Sequence, residues 1–202
     1  MKPLLMTVCM LALVATFSTA AEALQYTFEP PFVNSYDQQD GRRDLDDLRH
    51  AYYYTWGIDW GMPAGEKIES VTLFIDDIND GTNDPYNHLY IHFLDDVSLG
   101  VRSFFDGQSG GDNFAGQGVL LLDYSDVDRI THDLSITIEA GLFAAYTANG
   151  NFGFGFDPDC HFFNNGITLT VNTAPVPEPA TLFLMGSGLL GLGALGRKKL
   201  VR

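Results

Sequence analysis

The sequence is poor in cysteine, in basic residues and in long apolar runs, and each shortage excludes something. Only two cysteines occur, Cys9 and Cys160. Cys9 lies in an N-terminal apolar stretch without a lipobox-like end, so lipid attachment there is not expected. If that stretch is removed on export, Cys160 is alone and no disulfide can form within the mature chain. A solitary thiol of this kind is expected to be buried and inert. Between Leu24 and Val176 there are 24 Asp and Glu against 6 Lys and Arg, a balance of −18 in a chain of net charge −15. Such a surface repels phosphate, which excludes nucleic acid as a partner. It suits a solvated exported domain or one that takes up divalent cations. A sustained helical period is also missing, so the α/β alternation of many enzymes is absent; "DLDDLRHAY" offers a turn or two at most.

Two short apolar runs stand at the ends of the chain. Residues 4–17 follow Lys2 and precede the small residues of "STAAEA", where Ala21-Glu22-Ala23 fits a cleavage site. Residues 1–23 therefore read as a signal peptide with a helical apolar core too short to span a bilayer comfortably. At the other end, residues 180–196 are 17 uncharged residues, rich in glycine. As a helix they would reach ~25 Å, marginal against a hydrocarbon core of about 30 Å. Arg197, Lys198, Lys199 and Arg202 follow at once and are expected to stay cytoplasmic by the positive-inside rule. Pro177-Glu178-Pro179 precedes the run, and its prolines keep the chain extended just outside the membrane.

This order of Pro-Glu-Pro, short Gly-rich membrane segment and basic cluster resembles the PEP-CTERM protein-sorting domain, over about the last 27 residues. The resemblance implies recognition by an exosortase, a membrane-embedded peptidase or transpeptidase, and removal of the tail near the motif. It also implies a link to exopolysaccharide or biofilm matrix. The expected organisation is a signal peptide (1–23), an exported domain (24–172), a linker (173–176) and a sorting signal (177–202) with a transmembrane helix (180–196) and basic tail (197–202). The protein would be held in the inner membrane with its domain outside the cytoplasm, then released to the cell surface or medium.

Between the ends the pattern is β. Val71, Leu73 and Ile75 alternate with polar or outward positions, as do Leu89, Ile91 and Phe93, Leu134, Ile136 and Ile138, and Ile167, Leu169 and Val171. Period two over four to seven residues predicts half-buried strands. Further strands are predicted at 26–29, 52–56, 118–123 and 152–156, with Gly, Asn and Asp clusters between them. Eight or nine such strands without internal repeat predict an all-β domain, a β-sandwich of jelly-roll-like form. The stretches "YYTWGIDWGMPAGEKIESVTL" and "GFGFDPDCHFFNNGITLTV" loosely resemble the β-sandwich domains of such anchored exported proteins, a resemblance that brings no activity with it.

Several stretches could carry chemistry. Gly107-Gln108-Ser109-Gly110-Gly111 matches G-x-S-x-G, but a nucleophile elbow needs a strand before the serine and a helix after it, and here a second glycine-rich loop follows. Cys160 and His161 are neighbours and point apart on a strand, so they form no nucleophile pair by themselves. In "FGFGFDPDC" Phe152, Phe154 and Phe156 share one face, and Gly153 and Gly155 on the other leave room for a backbone or ring to approach. Hard oxygen ligands for Ca²⁺, the one cofactor the residues suggest, gather at Asp76, Asp77, Asn79, Asp80 and Asp84, with Asp157 and Asp159 as a second cluster. The spacing is not that of an EF-hand. Trp56 and Trp60 in "AYYYTWGIDWG" are candidates for stacking on sugar rings, against the competing expectation that large aromatics build the core. No carboxylate pair stands out as glycosidase machinery. The reading is an exported, exosortase-sorted protein without catalytic activity, associated with extracellular polysaccharide. A carbohydrate-binding module with structural calcium is the alternative, and a hydrolase the third.

Overall fold

In the computed structural model the strands fall where side chains alternate, and they build two main sheets. The structure describes residues 23–31, 45–107, 110–126, 128–176 and 186–188. Ala23–Ala174 forms a compact unit of its own. Of the terminal residues outside it only Pro175, Val176 and 186–188 are described, the last three helical. The signal-peptide residues 1–22 and nearly all of the 180–196 segment lie outside the described residues. Among the described residues no helix is long and apolar enough to cross a membrane.

The strands in chain order are β1 (Leu24–Phe28), β2 (Asp47–Leu48), β3 (Tyr52–Asp59), β4 (Glu66–Ile78), β5 (Leu89–Leu94), β6 (Gly100–Phe105), β7 (Val119–Tyr124), β8 (His132–Ile138), β9 (Asn151–Pro158), β10 (Phe162–Phe163) and β11 (Gly166–Pro175). One sheet has the order β1-β11-β4-β8 and the other β6-β3-β9-β5-β7, while β2 and β10 form a small pair. The eight predicted strands are all present. β6, β2 and β10 are additional: two of them are only two residues long, and β6 carries Ser103 where alternation from Val101 would want an apolar group. Val71, Leu73 and Ile75 of β4 and Ile167, Leu169 and Val171 of β11 join Tyr54, Trp56, Ile91, Phe93, Phe152, Phe154 and Phe156 of the other sheet in one buried cluster. Both sheets thus turn one face to a shared core. Each large side chain buried there is worth about 1.5–3 kcal/mol of transfer free energy.

A seven-residue helix, α1 (Ala140–Tyr146), was not foreseen. Its length of two turns hides it from a period search. Glu139 caps its start, accepting hydrogen bonds from the backbone N–H groups of Gly141 (2.9 Å) and Leu142 (2.6 Å), which satisfies two of the donors a helix leaves open. Phe143 anchors it, with its ring stacked on Phe93 at 5.6 Å and edge-on to Phe152 at 5.1 Å. "DLDDLRHAY" gives no helix; its described part holds β2 and a turn.

Candidate functional site

In β3 and β9 the inward residues are mostly aromatic, so the outward ones decide what the second face of the five-stranded sheet can do. Tyr54 and Trp56 point into the core, which places Tyr53 and Thr55 on the outer face. Tyr53 stands directly opposite Phe104 of β6 in the register, and their rings stack at 5.0 Å. β9 presents Gly153, Gly155 and Asp157 outward, while Phe152, Phe154 and Phe156 are fully buried.

The chain between β6 and β7 folds back over this outer face. Phe114 lies against Gly155 so closely that a Cβ there would sit 2.7 Å from its ring; this is the approach that the Phe-Gly alternation reserved. Phe114 is edge-on to Tyr53 at 5.4 Å and forms a second small buried cluster with Leu94 and Val97. Polar pins hold the strap down. Asp157 accepts a 2.5 Å hydrogen bond from the Asn113 N–H. Asp159 accepts one of 2.7 Å from the Gly111 N–H. Both ring nitrogens of the buried His92 face strap acceptors, the Gln117 carbonyl at 3.1 Å and an Asp112 carboxylate oxygen at 2.9 Å. Burial pushes the Asp157 carboxyl up to about 6, against the opposing pull of Asn113. Beside the strap a depression of about 270 Å³ is lined by Tyr53, Phe104, Phe114, Asp96, Ser98 and Gln117 among others. No sequence pattern announced this depression, because its walls come from β3, β6, the strap and the turn after β5.

The sugar-platform expectation for the tryptophans is corrected. Trp56 is 2% exposed and sits in the core beside Phe154. Trp60 is half-buried, and its ring meets Tyr26, Phe28 and Phe143. Big rings next to a strand end are drawn into the core, as the competing expectation held.

The calcium candidates fall into three groups. Asp76 and Asp77 stay together and meet Asp133 of β8, with carboxylate oxygens within 4.8 Å of one another. Desolvation, and then the Asp77 and Asp133 charges, push the Asp76 carboxyl above its ordinary value. Asn79, Asp80 and Asp84 accept from their own turn instead, at the N–H groups of Gly81, Thr82 and Tyr86. Asp157 and Asp159 hold the strap. A further group that sequence reading passed over gathers Asp126, Asp128 and His132; the Asp128 carboxylate, 2.8 Å from the His132 ring, holds that imidazole above its usual range. Cys160 is half-buried, and its thiol is pushed up by burial, away from the reactive thiolate. His161 pairs with Asp47 of β2. Ser109 lies outside the described residues.

Pro177, Glu178 and Pro179 also lie outside the described residues, as do Arg197, Lys198, Lys199 and Arg202. Where the fold hands over to them is described: β11 runs to Pro175, and antiparallel β1 places Leu24 opposite Thr173. The segment that starts at the end of β11 is a protein-sorting signal, the mark of a chain exported and held at the membrane until processed. Specifically, residues 175–199 match the family model of the PEP-CTERM protein-sorting motif, which supports a PEP-CTERM protein with exosortase as its processing partner. No curated protein matches the chain significantly.

Proposed function

We propose that this is an exosortase-sorted surface or extracellular-matrix protein whose β domain acts by binding, not by catalysis, and meets extracellular polysaccharide. The observation that carries the reading is the match of residues 175–199 to the sorting motif, beginning at the last residue of β11. A folded domain thus ends directly at the processing signal, with Leu24, where the mature chain is expected to begin, beside the same strand. Both processed ends leave the domain from one edge. The accompanying fold reading is a jelly-roll-like β-sandwich. With the edge strand β6 and the two short strands set aside, the remaining strands read β1-β11-β4-β8 and β3-β9-β5-β7 around one core. First pairs with last and second with next-to-last, the order of two Greek keys rolled together.

The test is to express the epitope-tagged chain in its host with and without the exosortase gene. Loss of tail processing in the deletion strain supports the reading; an identically processed chain in both strains sinks it.

A further inference from the structure

We infer that the depression beside the strap, lined by Tyr53 and Phe104, is a binding site for one uncharged pyranose unit of a polysaccharide. The inference rests on the reading that the domain meets extracellular polysaccharide, and gives that reading a site. A pyranose is amphipathic: its C–H face is apolar and its rim carries hydroxyls. It therefore needs a flat aromatic surface with donors and acceptors around it, not an apolar slot.

The depression has both parts. Phe104 is a large aromatic left 41% exposed; Tyr53 stacks on one of its faces and fixes the ring, so the other face is the one a sugar would meet. Around them stand a hydroxyl, a carboxylate and an amide. The Ser98 hydroxyl has no hydrogen bond among the described residues. Asp96 accepts from Asn151 Nδ2 through one oxygen, at 3.2 Å, which leaves the other for a ligand. Gln117 donates from Nε2 to the Asn113 carbonyl at 3.0 Å, which leaves its Oε1 as an acceptor. These walls are preorganised. Phe114 is 3% exposed and locked over Gly155, and His92 holds the Gln117 carbonyl in place. Little ordering is left to be done on binding, which favours affinity at a small site.

Charge narrows the ligand. In a domain of balance −18 with Asp96 on the rim, a neutral sugar is favoured over an anionic uronate or phosphate, even with Arg102 opposite Thr55 on the same face. An acyl chain would leave the polar groups around the rim without partners. The depression, at about 270 Å³, matches a single ring and not an extended oligomer.

The test uses the full-length chain in mild detergent and saturation-transfer-difference NMR with dextran, mannan and mixed-linkage β-glucan oligosaccharides, and with alginate as the anionic comparison. At least one neutral sugar is expected to bind, with transfer to its ring C–H protons. Phe104→Ala should weaken it about tenfold, the loss of one aromatic contact. Gln117→Ala should weaken it less, and Phe105→Ala, at an exposed ring outside the depression, should leave it unchanged. Near-ultraviolet circular dichroism checks that each variant is folded. Binding that survives Phe104→Ala overturns this site while leaving the polysaccharide reading intact. No binding of any neutral sugar by the folded wild type overturns both. Alginate bound as tightly as the neutral sugars, and equally sensitive to Phe104→Ala, overturns the charge assignment.

Discussion

Gly155 is where one missing side chain organises a whole face. With hydrogen in place of a Cβ, the Phe114 ring can rest on β9. Gly155→Ala should overpack that contact and destabilise the domain by about 1–3 kcal/mol, read as a lower midpoint in a urea melt, with amide exchange rising first in 111–117. Asp157 makes a second residue-scale prediction. Its carboxyl is fully buried and raised to about 6 from 3.8. A raised carboxyl is better protonated in the folded state, so its contribution is fully present below about 3.8 and is lost as pH rises through about 6. Stability of the wild type relative to Asp157→Asn should therefore fall as pH is taken from 4 to 7, by at most about 3 kcal/mol for a shift of two units. A pH-independent difference between the two would contradict the burial argument. The pattern Phe152-Gly153-Phe154-Gly155-Phe156 showed that something presses on the glycine face. It could not name Phe114, because nothing local ties residue 114 to residue 155.

Elements differ in how plainly they are written. β4, β5, β8 and β11 alternate over the predicted stretches 71–75, 89–93, 134–138 and 167–171, and each appears there. β6 does not alternate, and it lies at a sheet edge where one partner suffices to hold it. α1 is too short for a period, and its signal is local: an acceptor at Glu139 and a small-residue turn after it. Glu139→Ala should lower the melting temperature at neutral pH and speed exchange in 140–146. The two N–H groups it caps hold the Glu139 carboxyl below its ordinary value, so its contribution is present above its unfolded value and lost as pH falls through the lowered one. The melting difference between wild type and Glu139→Ala should accordingly shrink in acid. The candidate site was less legible than the strands for the same reason as the strap: its residues come from β3, β6 and two loops far apart in sequence. The tryptophans attract attention as large aromatics, but the exposed ring that lines the depression is Phe104, on the strand that the alternation pattern does not show.

At the scale of the whole molecule, the sorting motif and the proposed binding site occupy different parts of the chain. The delivery signal is compact and sequential, three features in fixed order over residues 175–199, which is why it could be read without a fold. The proposed site needs the fold, since sheet order brings β3 between β6 and β9. The sorting motif begins at Pro175, the last residue of β11, whose neighbour β1 carries the expected mature N-terminus. The acidic balance of −18 between Leu24 and Val176 favours solvation of the domain and disfavours contact with anionic polymers. The central claim is that exosortase processing defines this protein, and intact-mass measurement of the exported chain tests it most directly. In an exosortase-positive host the mass should correspond to a chain starting near Leu24 and lacking the residues beyond the Pro177–Pro179 motif. In the exosortase deletion strain, or with Pro177, Glu178 and Pro179 replaced by alanine, the tail through Arg202 should remain. A chain with the same C-terminus in all three cases would contradict the claim.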